Sequence, residues 1–263
     1  MDFILDDVKK DITDAKGFLS HLGAKGDLQL LGQGVEANVY GMKSVAIKLF
    51  RNRKSFEGLE YLRPRYGTLK TIQKRCQEGI RRDINFAPIL DVECVKVAGE
   101  ERLVAYMPKL DGKSMYDLGV PEIELGSAGW GIAAFRLAEE LYEVGEDGFA
   151  KYLEDAIKLA EIGISYEDAT LSNHVISKNP LDGKKHISRI DLWKGSRPWG
   201  GKLGGCLPEV LTRDAYGLVA ESALACKQLR EPIFDFLEQA IKRAPHNRMA
   251  LKRHESYKEA FEI

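Results

Sequence analysis

Over the first 22 positions, apolar residues recur at helical spacing: Phe3, Ile4, Val8, Ile12, Ala15, Phe18, Leu19 and Leu22, with Gly23 and Gly26 beyond them as stop signals. The pattern predicts a lead-in helix within residues 1–25. From Leu28 to Phe50 it changes to alternation, and Val39, Val45, Ile47 and Leu49 suit a β-hairpin turning near Gly41 to Ser44. A helical stripe returns between Lys54 and Ile80, through Leu59, Leu62, Tyr66, Leu69, Ile72 and Cys76, and Pro64 is expected to kink or split it. Residues 86–107 read as two strands around Ala98-Gly99-Glu100-Glu101, the second ending in Leu103-Val104-Ala105-Tyr106-Met107.

Beyond Gly112, helices are predicted at Ser114 to Leu118, at about Gly126 to Val144, and at Asp147 to Ile162. The last has Phe149, Tyr152, Leu153, Ala156, Ile157 and Ala160 on one face and is ended by Gly163. After Ile164-Ser165-Tyr166-Glu167-Asp168 come a strand from His174 to Ser177, a turn at Asn179-Pro180-Leu181-Asp182-Gly183, and a strand from His186 to Ile190.

At 263 residues the chain can bury a substantial core, as one domain or as two lobes. A formal net charge of −1, with 30% charged and 44% hydrophobic residues, is that of an ordinary soluble protein rather than a nucleic-acid or membrane binder. Cys76, Cys94, Cys206 and Cys226 are widely separated, so neither a zinc site nor a disulfide framework is expected, and a reducing compartment is the default. The five histidines form no ligand spacing. Met1-Asp2-Phe3-Ile4-Leu5-Asp6-Asp7 has neither the basic start nor the apolar run of a cleavable signal peptide, and no stretch is long and apolar enough to span a bilayer. A cytoplasmic location is expected, with delivery into a host cell by a specialised secretion system left open.

Four segments then change the picture. Gly32-Gln33-Gly34-Val35-Glu36-Ala37-Asn38-Val39-Tyr40 places small residues where a backbone could close over phosphates, and Val45-Ala46-Ile47-Lys48 follows at once with a strand-borne cation. Alone, the first is an ordinary tight turn between strands. Phosphoryl transfer also needs a carboxylate by the acceptor hydroxyl and oxygen ligands for magnesium. Asp168, Asn173 and Asp191 supply that set, although singly each could cap a turn or end a strand.

On these motifs the chain resembles the protein-kinase-like superfamily, and its small atypical bacterial members, secreted effector kinases included, over most of residues 26–220. The resemblance implies an α+β, two-lobed fold: after the lead-in helix, a β-rich N-lobe over 26–110 and a mainly helical, trimmed C-lobe over 111–263. It implies ATP and Mg2+ as cofactors. Gly32, Gly34, Ala37 and Val39 would form the loop over the nucleotide, Ala46 would also contact it, and Lys48 would hold the inner phosphates; Met107 would border the adenine and backbone groups of Pro108 to Leu110 would face the base, unless that segment is only an interlobe linker. A helix glutamate would pair with Lys48, with Glu60 the first candidate and Glu57 and Glu78 in competition. Asp168 would orient the acceptor hydroxyl and take its proton, and Asn173 and Asp191 would hold the metal.

The chain departs from that pattern in three places. Tyr166-Glu167 stand where the family has His-Arg, so phosphorylation of an activation loop should not be the on-switch. Thr170 stands where many serine/threonine kinases have a lysine, which removes a cation from the site. The stretch from Asp191 to Leu207-Pro208-Glu209-Val210 is short and leaves little room to dock a peptide. Within it, Trp193 and Trp199 are read chiefly as packing anchors. Asp214 in Arg213-Asp214-Ala215-Tyr216-Gly217-Leu218 would brace the catalytic loop or simply occupy a first helical turn. The basic residues Lys242, Arg243, Arg248, Lys252 and Arg253 read as a solvated helix face.

The resulting expectation is an ATP/Mg-dependent serine/threonine protein kinase, acting as a monomer on a protein substrate, with no nucleic acid and no membrane insertion. A small-molecule kinase of the aminoglycoside or choline type, a nucleotide-binding pseudokinase, and a flipped nucleotide that would transfer a nucleotidyl group stay open.

Overall fold

The computed structural model describes Asp11, Ile12 and Ala15 and residues 29–33, 37–51, 62–97, 100–119, 127–164, 171–178, 183–190, 192, 208–224 and 226–263. The chain falls into two compact units, Met1–Arg81 with Ala87–Leu110, and Arg82–Phe86 with Asp111–Ile263. The first is β-rich and the second mainly helical, which is the α+β composition expected.

The first unit is an antiparallel five-stranded sheet: β1 (Gln29–Gln33), β2 (Ala37–Met42), β3 (Val45–Phe50), β4 (Asp91–Val97) and β5 (Glu100–Pro108), in the order β1-β2-β3-β5-β4. The β2–β3 hairpin turns at Lys43 and Ser44, with Lys43 at a positive φ of 49°. Residues alternate between faces along a strand, so Met42, Val45, Ile47, Val104 and Tyr106 share one side of the sheet and form a core cluster with Ile12 and Ala15 of the lead-in segment. Each fully buried aliphatic side chain there stabilises the unit by roughly 1.5–3 kcal/mol. Asp11 fastens that segment to the hairpin: its carboxylate accepts from the Ser44 hydroxyl at 2.7 Å and the Ser44 N–H at 3.3 Å, and lies 3.4 Å from the Lys43 ammonium. The Ser44 hydroxyl is the main cause of a lowered Asp11 pKa.

Helix α1 (Leu62–Arg81) lies between β3 and β4 in sequence. Pro64 does not kink the described helix. It falls in the first turn, where a missing N–H leaves no intrahelical bond unmade. Leu69, Ile72 and Cys76 of α1 are buried, and the Cys76 sulfur accepts the Ile89 N–H at 3.4 Å. Burial pushes that thiol up to about 12, so it is an inert packing residue.

In the second unit, β6 (Gly112–Ser114), β7 (His174–Lys178) and β8 (Lys185–Arg189) form a sheet in that order. A Cβ at Gly112 would meet the Ile176 carbonyl oxygen at 2.1 Å, so only glycine lets β6 approach β7. Ser114 ends β6 rather than beginning a helix, and its hydroxyl accepts the Asp117 N–H at 3.0 Å at the start of α2 (Met115–Gly119). The long α3 (Ser127–Glu161) is two helical runs broken at Gly145, φ 64° and ψ 180°. The break matches the two helices read from the sequence, because that backbone conformation favours glycine. Then come α4 (Pro208–Leu224), α5 (Lys227–Arg243) and α6 (Arg248–Phe261). One core joins Phe149, Tyr152 and Leu153 of α3 to Ile176 and Ile187 of the hairpin and to Tyr216, Phe234 and Leu237 of α4 and α5.

Several of the basic residues near the C-terminus are ion-paired rather than merely solvated. Arg243 reaches Glu146 and Asp147 at 2.7 and 2.8 Å, and Lys242 reaches Glu238 at 2.6 Å. Arg253 reaches Glu221 at 2.5 Å.

Candidate functional site

The candidate residues fall in both units. In the first, strand register brings three of them, Gly32, Val39 and Lys48, into line with Ala105. Gly32 of β1 stands opposite Val39 of β2, Val39 opposite Lys48 of β3, and Lys48 opposite Ala105 of β5. Opposed residues in an antiparallel sheet share a face, so Val39, Lys48 and Ala105 project to one side. Alternation adds Ala37, Ala46 and Met107 to that side, with Ala46 directly opposite Met107. It is the face turned away from Ile12 and Ala15.

Lys48 is only 7% exposed, on a face where its nearest cross-strand neighbours are Val39 and Ala105. Ala37, Ala46 and Ala105 are buried, and a Cβ added at Gly32 would meet no atom within 4 Å. The face therefore sets a strand cation among small side chains, with Met107 and Phe50 on the same side, an arrangement that could receive an anionic ligand. The strand end beside it is fixed by main-chain bonding, since the Lys109 N–H donates to the Ser44 carbonyl at 2.7 Å. Leu110 follows, half-buried.

Phe50, two residues beyond Lys48 and on the same face, was not anticipated as part of this surface. The Lys48 ammonium lies 5.4 Å from its ring centroid, and the Arg65 guanidinium of α1 lies 4.8 Å from the same centroid. Such contacts favour cations over an aromatic face.

In the second unit, a 3-10 turn (Leu171–Asn173) leads into β7. His174 pairs with Arg189 across the hairpin, and one step further the Ile190 N–H donates to the Asn173 carbonyl at 2.9 Å. The hairpin is thus closed up to Asn173, and the next residue in the chain after Ile190 is Asp191.

Beneath that end lies a buried polar group. His174 is fully buried, with Nε2 3.1 Å from the Tyr152 hydroxyl and its ring edge-on to the tyrosine. The Arg189 guanidinium sits 4.8 Å from the Tyr152 ring centroid. Asp155, one turn along α3, accepts the Asn85 N–H at 2.9 Å and the Lys151 ammonium at 2.5 Å. Burial pushes the Asp155 carboxyl above its ordinary value, against the pull of Lys151. Phe86 bridges to Arg189. Residues 85 and 86 are thereby tied to both α3 and β8.

Gly34, Glu60, Asp168 and Asp191 lie outside the described residues, as do Glu57, Thr170 and both tryptophans of the 193–199 stretch. Glu78, a competitor for the Lys48 pairing, lies near the end of α1, 3.9 Å from Arg81. Asp214 accepts from its neighbour Arg213 at 2.8 Å on a partly exposed side of α4. Among the described residues no group of three or more His, Cys, Asp or Glu side chains could hold a metal ion. A magnesium site built on Asn173 would accordingly depend on Asp191. An amide oxygen and a carboxylate are hard donors of the type magnesium takes. None of the described helices is long and apolar enough to cross a membrane.

No protein-family profile matches the chain, and no curated protein matches it. Among solved structures, it is similar to a MAP kinase, LmaMPK10, from Leishmania major, with TM-score 0.43 and 13% identity over 86% of this chain and 66% of that one. It is also similar to WbdD, with TM-score 0.48 and 13% identity over 83% of this chain and 46% of that one. The chain thus spans less than two thirds of each, and likeness at this level carries no argument about activity.

Sequence reasoning missed Ala105, Phe50, Arg65 and the group around Tyr152 and Asp155. Two of these left a signal. Ala105 is the one small residue in Leu103-Val104-Ala105-Tyr106-Met107, and Asp155 is an acid three positions after Tyr152, on the apolar stripe.

Proposed function

We propose that the protein is an ATP- and magnesium-dependent phosphotransferase of kinase type, most specifically a minimal serine/threonine protein kinase that needs no loop phosphorylation. The observation that carries the reading is Lys48, a buried cation on the central strand of an antiparallel sheet, flanked on one face by Ala37, Val39, Ala46 and Ala105. A structural role alone gives little reason to keep a lysine there, because burying an ammonium is costly and an apolar side chain would pack as well. The strand order with one helix between β3 and β4 also agrees with a kinase-type nucleotide lobe.

Under this reading, Lys48 neutralises the inner phosphates, and the small residues on its face, with Met107 and Leu110 at the strand end, receive the base. Gly32, Gly34 and Ala37 let the loop backbone come close to the phosphates. Asp168 orients the acceptor hydroxyl and takes its proton. Glu60 holds Lys48 in place. Asn173 and Asp191 would hold Mg2+, which when bound offsets the charge that develops on the transferred phosphoryl group. The hydrogen bond between Ile190 and Asn173 supports that pairing, since it keeps the two ends of the hairpin together.

Calorimetric titration with ATP and magnesium, followed by product analysis, tests the proposal. Saturable ATP binding that is lost in Lys48→Ala, with ADP as the nucleotide product, supports it. AMP as the product would mean nucleotidyl transfer, binding without turnover would mean a pseudokinase, and no binding would remove the nucleotide reading altogether.

A further inference from the structure

One tyrosine grips both strands of the β7–β8 hairpin at the end that leads to Asn173 and Asp191. The Tyr152 hydroxyl of α3 lies 3.1 Å from Nε2 of His174 on β7, with the imidazole edge-on to the phenol ring. The same ring lies 4.8 Å from the guanidinium of Arg189 on β8. His174 and Arg189 are opposed across the hairpin, so their side chains leave the same face of it. His174 follows Asn173 directly, and Arg189 stands two residues before Asp191. Tyr152, His174 and Arg189 are each no more than 2% exposed and belong to one unit. Burying three such polar groups is costly, and apolar side chains would fill the core without that cost. What the polar groups add is direction: a hydrogen bond between phenol and imidazole fixes separation and orientation, whereas an apolar contact lets strands slide.

We propose that Tyr152 is a positioning residue for the magnesium site, setting Asn173 through its hydrogen bond to His174 and the strand that leads to Asp191 through its contact with Arg189. The inference rests on the assignment of Asn173 and Asp191 as metal ligands given under Proposed function. Magnesium demands near-ideal octahedral geometry, so a small displacement of either ligand weakens the site. The effect of Tyr152 passes through the main chain. The bond from the Ile190 N–H to the Asn173 carbonyl joins the two strands just beyond the pair that Tyr152 holds. Removing the hydroxyl alone loosens His174 while the ring stays against Arg189, which makes Asn173 the ligand that responds.

The same core supplies a control. Tyr216 of α4 is fully buried, and its hydroxyl lies 3.0 Å from Nδ1 of His254 on α6, again with the two rings edge-on. The test compares wild type, Tyr152→Phe, Tyr216→Phe, Asn173→Ala and the double variant carrying Tyr152→Phe and Asn173→Ala. Calorimetry gives the affinity for a non-hydrolysable ATP analogue across a magnesium series, and thermal unfolding checks the fold. Both phenylalanines remove one buried hydroxyl and should lower the unfolding temperature alike. Only Tyr152→Phe should raise the magnesium requirement for binding, by about tenfold. In the Asn173→Ala background the same change should add less than about twofold, because it acts through that ligand. If Tyr152→Phe does not fold, His174→Gln takes its place, with a smaller rise in the same direction, since a flexible amide can meet the hydroxyl without the fixed orientation of the ring. No rise in that variant, an equal rise in Tyr216→Phe, or a full tenfold rise persisting in the Asn173→Ala background would overturn the assignment and leave Tyr152 a core residue. If magnesium does not affect binding by wild type, or Asn173→Ala leaves its effect unchanged, it is the metal assignment that fails, and this inference falls with it.

Discussion

The Ile190 N–H donates to the carbonyl oxygen of Asn173 at 2.9 Å, one step beyond the last paired residues of the β7–β8 hairpin, His174 and Arg189. Because this bond is made by the main chain, it survives a change of the Asn173 side chain. Asn173→Ala therefore tests the part of that side chain in metal binding, with thermal unfolding as a check on the fold. On the proposed reading, phosphotransfer should fall and the magnesium requirement should rise roughly 10–100-fold, the range seen when groups around a metal are removed. Activity measured against magnesium concentration checks this. An unchanged magnesium dependence would exclude Asn173 as a ligand.

Gly32 offers a second separation of stability from binding. A Cβ there meets no atom within 4 Å, so Gly32→Ala should change unfolding free energy by no more than about 0.5 kcal/mol. If a nucleotide lies against β1 and β2, the same methyl should raise the KM for ATP. Denaturant unfolding and initial-rate kinetics on one preparation test both halves.

The fold was largely legible in the sequence where period and punctuation agreed. One helix predicted to end at Val144 and the next to begin at Asp147 implied a break, and the structure puts it at Gly145, with a φ of 64°. The alternation from Val39 to Leu49 marked the hairpin that carries Lys48, although not which face each residue would take against β5. Contacts made by residues distant in sequence were not legible. Arg65 and Phe50 lie 15 positions apart, and Asn85 and Asp155 lie 70 apart, so no local period joins them. The hydrogen bond between Asp11 and Ser44, 33 positions apart, is of the same kind.

That anchor yields a stability prediction. Asp11→Ala removes the acceptor for both the Ser44 hydroxyl and the Ser44 N–H, which should cost about 1–2 kcal/mol. The loosened segment should be cut faster by a protease at residues 1–22, while the sheet retains its protection. Equal cleavage rates in variant and wild type would show that Ile12 and Ala15 alone hold the segment.

His254 should make the second unit sensitive to mild acid. Its ring is buried, Nδ1 lies 3.0 Å from the Tyr216 hydroxyl, and Glu238 lies 3.5 Å from Nε2, with Lys258 also near. Desolvation is the main cause of a pKa lowered from 6.5, so the unfolded chain takes up the proton more readily than the folded one. The contribution is intact above about pH 6.5 and is lost as the pH falls below it. The unfolding temperature should drop between pH 7 and pH 5, and His254→Gln should show a shallower drop. Parallel slopes for the two proteins would contradict this.

The central claim is that the protein moves a γ-phosphoryl group by means of Lys48, and the most direct measurement is label transfer from ATP. ATP labelled at the γ-phosphate, and separately at the α-phosphate, is incubated in magnesium with wild type or Lys48→Ala and with a cell lysate as the source of acceptor protein. The account predicts protein labelled from the γ position only, and lost in Lys48→Ala. Labelling from the α position, or equal γ-labelling by the Lys48→Ala variant, would contradict it.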